Sequence, residues 1–128
     1  MLRCIAVYKC AVSHTWDKLY ITNSSQHKLL TLARDGSVLA TFTDPALQGP
    51  GGIHVTPAGQ VLVCGYVSNT IIQVDDEGRK KLAILATKED GVVFPQSVCY
   101  NRHTASILVG LNNNSILVFK VTPPITGS

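Results

Sequence analysis

The sequence is poor in charge, in aromatic residues and in any pattern that would seat a metal ion or a phosphate. Of its 128 residues, 15% are charged and 6% aromatic, with a single tryptophan and a single methionine. Eleven Lys plus Arg stand against eight Asp plus Glu, a net charge of +3. That falls short of the clustered basic face of an electrostatic nucleic-acid binder. No apolar run approaches the roughly 18–20 residues of a membrane span, so no membrane partner is expected. The opening residues, Met1-Leu2-Arg3-Cys4-Ile5-Ala6-Val7-Tyr8, lack a long apolar stretch and a small-residue cleavage site. This argues against a secretory signal. Four cysteines, Cys4, Cys10, Cys64 and Cys99, are widely spaced, with no C-x-x-C pair. Oxidised, they could pair in three ways. Without a signal, the expectation is four thiols in a reducing, cytoplasmic compartment.

What the sequence does have is apolar content, 45% of residues, spread in short runs. The length suits one domain with a core of its own, and the composition argues against disorder. The runs repeat. In the middle of the chain, Pro50-Gly51-Gly52-Ile53-His54-Val55 is followed by Val61-Leu62-Val63, then Ile71-Ile72-Gln73-Val74, Asp75-Asp76-Glu77-Gly78 and Lys81-Leu82-Ala83-Ile84. About 42–43 residues earlier stand Cys10-Ala11-Val12, Leu19-Tyr20-Ile21, Leu29-Leu30-Thr31-Leu32, Arg34-Asp35-Gly36 and Leu39-Ala40-Thr41-Phe42. About 45 residues later stand Pro95-Gln96-Ser97-Val98-Cys99-Tyr100, Ile107-Leu108-Val109 and Ile116-Leu117-Val118-Phe119. Each run is short, β-branched or apolar, and bounded by Gly, Asn, Asp, Ser or Pro, the mark of a strand between turns. Residues 82–90 could be read as a short helix, but their place in the repeat makes them strand and loop. The fold class is therefore all-β, and a four-stranded repeat of this period is a propeller blade.

The wording of the middle repeat, P-G-G-I-x-V, then V-L-V, then S-N-T-I-I-Q-V and D-x-x-G, resembles the NHL repeat over about residues 9–121. Where that family usually carries an aspartate after the second strand, this chain has Asn23, Gly65 and a residue near Leu111. The basic residue common before the third strand is present as Lys28 and replaced by Thr70 and Ser115. The resemblance implies a six-bladed β-propeller like the C-terminal region of tripartite-motif proteins. The units are about 9–42, 50–85 and 95–121, with a further strand at Arg3–Val7 within residues 1–8 and a tail at 122–128. Three blades of four antiparallel strands, the last with three, make half a ring. Half a ring leaves apolar blade faces open, which invites association. The expectation is a segment of a longer propeller chain, with closure by a second copy as the alternative. In that alternative, Arg3–Val7 of one copy supplies the last blade's missing strand.

Residues with reactive side chains do not converge. His14 and His103 fall in turns on one rim, His27 on the other, and His54 on an inner strand whose counterparts are Ala11 and Cys99. Cys10, Cys64 and Cys99 sit where a small buried apolar group is wanted. Asp75-Asp76-Glu77-Gly78 runs into Arg79-Lys80-Lys81, a self-balancing hairpin corner rather than a calcium loop. Gln48-Gly49-Pro50-Gly51-Gly52 precedes a strand and lacks the Lys-Ser/Thr pair of a phosphate loop, and reads as the turn into the next inner strand. G-x-S-x-G is absent. The metal-dependent hydrolases among propellers hold calcium with channel-facing Glu and Asn, which the inner strands here do not offer. No active site, cofactor or metal is expected.

Function then falls to the rim of second-to-third strand turns and interblade links. Its candidate partner-binding residues are His27, Tyr66, Ser68, Asn69, Asn112, Asn113 and Asn114. The resemblance implies a protein-interaction platform, the substrate-recruiting end of a tripartite-motif ubiquitin ligase, without the zinc-binding RING segment that transfers ubiquitin. The alternative it implies is single-stranded RNA binding in post-transcriptional regulation. Against this, the rim sets Lys28 and Lys88 beside Asp44, Glu89 and Asp90, so an electrostatic funnel is missing.

Overall fold

The computed structural model describes residues 9–122 and 124–125. The strand expected at Arg3–Val7, Cys4 and most of the tail lie outside the described residues. The first sheet is β1 (Lys9–Val12), β2 (Lys18–Asn23), β3 (Lys28–Ala33) and β4 (Val38–Phe42). The second is β5 (Pro50–Val55), β6 (Val61–Gly65), β7 (Thr70–Val74) and β8 (Lys81–Ala86). The third has β9 (Pro95–Asn101), β10 (Ser106–Leu111) and β11 (Ile116–Lys120). All neighbours are antiparallel and the strands of each sheet follow chain order. This is the expected all-β architecture of propeller blades. The 82–90 segment resolves into β8 and a 3-10 turn at Lys88–Asp90, closed by Gly91 at φ +94°.

The sheets stack in sequence, β5 against β1 and β2, and β9 against β5, β6 and β7. Because side chains alternate across a strand, each blade has a back face towards the preceding blade and a front face towards the next. Tyr20 and Leu29 on the first front face meet Val55, Val61, Val63, Ile72 and Val74 on the second back face, with Phe42 and Leu47. Leu62, Cys64, Ile71 and Ala86 on the second front face meet Val98, Tyr100, Ile107, Val109 and Leu111 on the third back face, with Val92. Both faces of β6 are therefore buried along its whole length. Full burial of each such Val, Leu or Ile contributes about 1.5–3 kcal/mol, so the two interblade layers hold the molecule together.

Two expectations are corrected at the inner strands. Cys10 and Cys99 are exposed, and only Cys64 is buried among the described cysteines. Cys10 lies on the first back face and Cys99 on the third front face, where no described blade packs. Gly51 and Gly52 are not part of a turn but lie within β5. A Cβ at Gly52 would strike the Gln96 carbonyl oxygen and stand 2.9 Å from Ser97 Cα. The inner strands converge here, and glycine permits the approach. Among the described residues, no helix is long and apolar enough to cross a membrane.

Candidate partner-binding rim

β2, β6 and β10 end on one rim, where β5 and β9 begin, so the turns at 24–27, 66–69 and 112–115 meet the links at 43–49 and 87–94. The link backbones are held by one arrangement used twice. Gly49 at φ +59° donates its N–H to His27 Nδ1 at 2.8 Å, and its carbonyl accepts the Tyr66 N–H at 3.1 Å. One blade on, Phe94 at φ +49° donates its N–H to Asn69 Oδ1 at 2.9 Å, and its carbonyl accepts the Asn112 N–H at 3.1 Å. His27 and Asn69, both at φ +57°, close their four-residue turns. A proline follows in each case, Pro50 or Pro95, opening the inner strand.

The two sites differ in what occupies the left-handed position. Glycine adopts it freely, whereas a bulky residue there is an outlier that costs about 1–2 kcal/mol. At Gly49 a side chain would have to push Val67 aside, since a Cβ would stand 2.7 Å from Val67 Cγ2. Phe94 instead carries its ring to the surface, 44% exposed, against the Tyr66 ring at 5.1 Å between centroids and 33° between planes. Val67 and Val93 are exposed beside them.

The remaining candidate residues divide between this cluster and the scaffold beneath it. Ser68 Oγ accepts the Gln48 N–H at 3.0 Å. Asn112 Oδ1 accepts from Gln96 Nε2 at 2.9 Å. Asn113 Oδ1 accepts the Ser115 N–H at 3.0 Å, and Asn114, at φ +67°, forms the turn's corner. His27, Ser68 and Asn69 are thus committed to holding the links, while Tyr66 and Asn112 join Phe94 at the surface. Sequence reasoning missed Phe94, Gln96, Val67 and Val93. The signal was available for Phe94, because the repeat offset sets it opposite Gly49.

The charges around the rim are mixed. Asp44 is held below the usual carboxylate range, first by the Ala46 N–H and then by Lys81, whose Nζ lies 3.1 Å away. Asp44, His27 and Gln48 share a shallow depression of about 350 Å³ with Gln26, Thr43 and Pro45. Lys88, Glu89 and Asp90 are exposed on the 3-10 turn. Asp90 Oδ2 accepts the Thr87 N–H at 2.9 Å.

The opposite rim has a pocket of about 230 Å³ lined by Ser13, His14, Lys18, Tyr20 and Asp76 among others. His14 Nε2 bonds the Thr56 carbonyl at 2.7 Å, while Ser13 and Thr15 hydroxyls donate to Asp17 and lower its pKa. Tyr20 donates its hydroxyl proton to the Asp76 carbonyl at 2.5 Å. Burial, with the Asp76 charge, pushes its pKa up to about 12. Inner-strand His54 titrates below its ordinary value because of burial and the charge of His14, and its Nε2 is buried with no hydrogen-bond partner among the described residues. Burial raises the Cys64 thiol to about 12, which leaves it protonated and inert. Among the described residues, no group of three or more His, Cys, Asp or Glu is placed to hold a metal ion.

This geometry defines the class as a β-propeller, and solved structures share it. Hydrazine synthase from Kuenenia stuttgartiensis superposes with a TM-score of 0.76 at 18% identity, covering 96% of this chain and 35% of that one. Two structures of virginiamycin B lyase from Staphylococcus aureus superpose at 0.61 and 0.62, each at 17% identity, over 98% and 96% of this chain. They are matched over 45% and 44% of their own length, so the chain spans less than half of each of these proteins. No family model matches the sequence, and no curated protein does.

Proposed function

We propose that the rim around Tyr66 and Phe94 recognises a protein partner. In this reading the chain is a non-catalytic, substrate-recruiting propeller segment of the NHL, tripartite-motif kind, acting in protein ubiquitination in the cytoplasm. The observation that carries it is Phe94. A large aromatic is held in a left-handed conformation by two hydrogen bonds, with its ring at the surface rather than in the core. Backbone strain of this sort concentrates where a contact is preorganised. Aromatic anchors ringed by polar amides are the usual centre of a protein interface.

Single-stranded RNA is the second reading, favoured by the paired rings, on which a base could stack. Exposed Glu89 and Asp90 beside Lys88 oppose it, since phosphate binding needs uncompensated positive charge.

The test compares the immobilised chain with its Phe94→Gly and Tyr66→Ala variants in cell extract, read by quantitative mass spectrometry. A protein partner should be retained by the parent chain and reduced at least ~10-fold by either change, as for an interface hot spot. Fluorescence anisotropy on a mixed-sequence single-stranded RNA should show no steep salt dependence. Retention unaffected by both substitutions, or salt-dependent RNA affinity that Phe94→Gly abolishes, would overturn the protein-partner reading.

A further inference from the structure

Each blade presents the same pattern on its back face. Val12, Leu19, Ile21, Leu30 and Leu32 in the first blade stand at the positions of Val55, Val61, Val63, Ile72 and Val74 in the second. Tyr100, Ile107, Val109, Leu117 and Phe119 hold them in the third. The front faces also correspond. Tyr20 and Leu29 align with Leu62 and Ile71, and these with Leu108 and Ile116. In the first two blades those front-face residues are 0% exposed, covered by the next blade's back face. In the third blade Leu108 is 37%, Ile116 69% and Val118 64% exposed. Val12, on the first back face, is 42% exposed, although its counterpart Val55 is buried. Cys10 beside Val12 is also exposed, while Leu19, Leu30 and Leu32 are half-buried and Ile21 is buried. Among the described residues, the third front face and the Cys10–Val12 side of the first back face are thus the uncovered halves of an interface that the molecule already makes twice.

We infer that a second copy of this chain covers them. The β9–β11 front face of each copy receives the β1–β4 back face of the other, continuing the interblade stacking into one closed ring. Closure by a two-fold axis makes both contacts at once, because residue i of one copy meets residue j of the other and the reverse. It also covers the exposed Leu108, Ile116 and Val118 of one copy with the Val12 side of the other, apolar surface that would otherwise invite uncontrolled association. The pairing is front to back, since a front face laid on its own copy would lack the Val, Leu and Ile positions that complete both existing layers. This inference is independent of the rim reading, and of the two closures open to the sequence it takes the second copy rather than further blades of a longer chain.

Light scattering on the full chain after size-exclusion chromatography decides it, alongside Val118→Asp on the front face and Val12→Asp on the back face. Both side chains are already exposed, so the substitutions spare the core; far-UV circular dichroism checks that each variant keeps its strands. The parent chain should elute as one species at twice 13.8 kDa, and each variant should fall to the single-chain mass. A parent chain at single-chain mass overturns the proposal and leaves the faces to a different partner. A mass above two copies overturns the closed ring. A dimer that survives Val12→Asp but not Val118→Asp overturns the front-to-back pairing.

Discussion

His54 shows how one side chain couples the fold to pH. Its imidazole lies on an inner strand, its Nε2 has no partner among the described residues, and burial with the His14 charge keeps its pKa below 6.5. Below that pH the unfolded chain takes up a proton that the folded protein resists, so stability falls as pH drops from 6.5 towards the folded pKa. Above 6.5 the effect vanishes. The midpoint of thermal unfolding should therefore fall between about pH 7 and about pH 5, and His54→Gln should flatten part of that fall. An equal fall in the variant would show that other groups carry the dependence. The sequence placed His54 on an inner strand between Ala11 and Cys99 of the neighbouring blades. It could not show the missing partner, which depends on how closely the inner strands converge.

At the scale of turns, two glycines in matching hairpins separate conformational strain from packing. Gly36, at φ +87°, closes the β3–β4 turn with open space where a Cβ would stand. Gly78, at φ +72°, closes the β7–β8 turn with Thr31 Oγ1 of the first blade in that space. An alanine at either position meets the left-handed penalty, but only at Gly78 must it also displace a neighbouring blade. Urea unfolding should show a loss of about 1 kcal/mol for Gly36→Ala and about 3 kcal/mol for Gly78→Ala. Similar losses would mean that the second turn yields easily. The strands and these corners were legible because Arg34-Asp35-Gly36 and Asp76-Glu77-Gly78 recur at one offset between apolar runs. The role of Gly52 was not, because a glycine read from sequence as a turn residue served a strand-to-strand approach that only the assembled blades create. Phe94 was missed. Its alignment with Gly49 was there to be read in the repeat, but its contact with Tyr66 joins segments from two different blades.

Across the whole molecule, stability and recognition occupy different places. The layers between blades hold the buried Val, Leu and Ile, whereas the rim carries an aromatic pair of which Phe94 holds a left-handed conformation that costs stability. The residues that end β2 and β6 belong to the scaffold side of that division. Asn23 takes over a turn-closing role, its Oδ1 accepting the Gln26 N–H at 3.1 Å. At Gly65, the hydroxyls of Ser68 and Thr70 occupy the space a side chain would fill, so the position is reserved for glycine by packing. Equilibrium urea unfolding of Phe94→Gly beside Ile72→Ala tests this division most directly. Relief of the left-handed strain, about 1–2 kcal/mol, offsets a ring contact of about 0.5–1.5 kcal/mol. Phe94→Gly should therefore change stability by less than about 1 kcal/mol, against a loss of about 2–5 kcal/mol for Ile72→Ala in the interblade layer. A comparable loss for both would make Phe94 a structural residue and contradict the account of the rim as a surface built for contact.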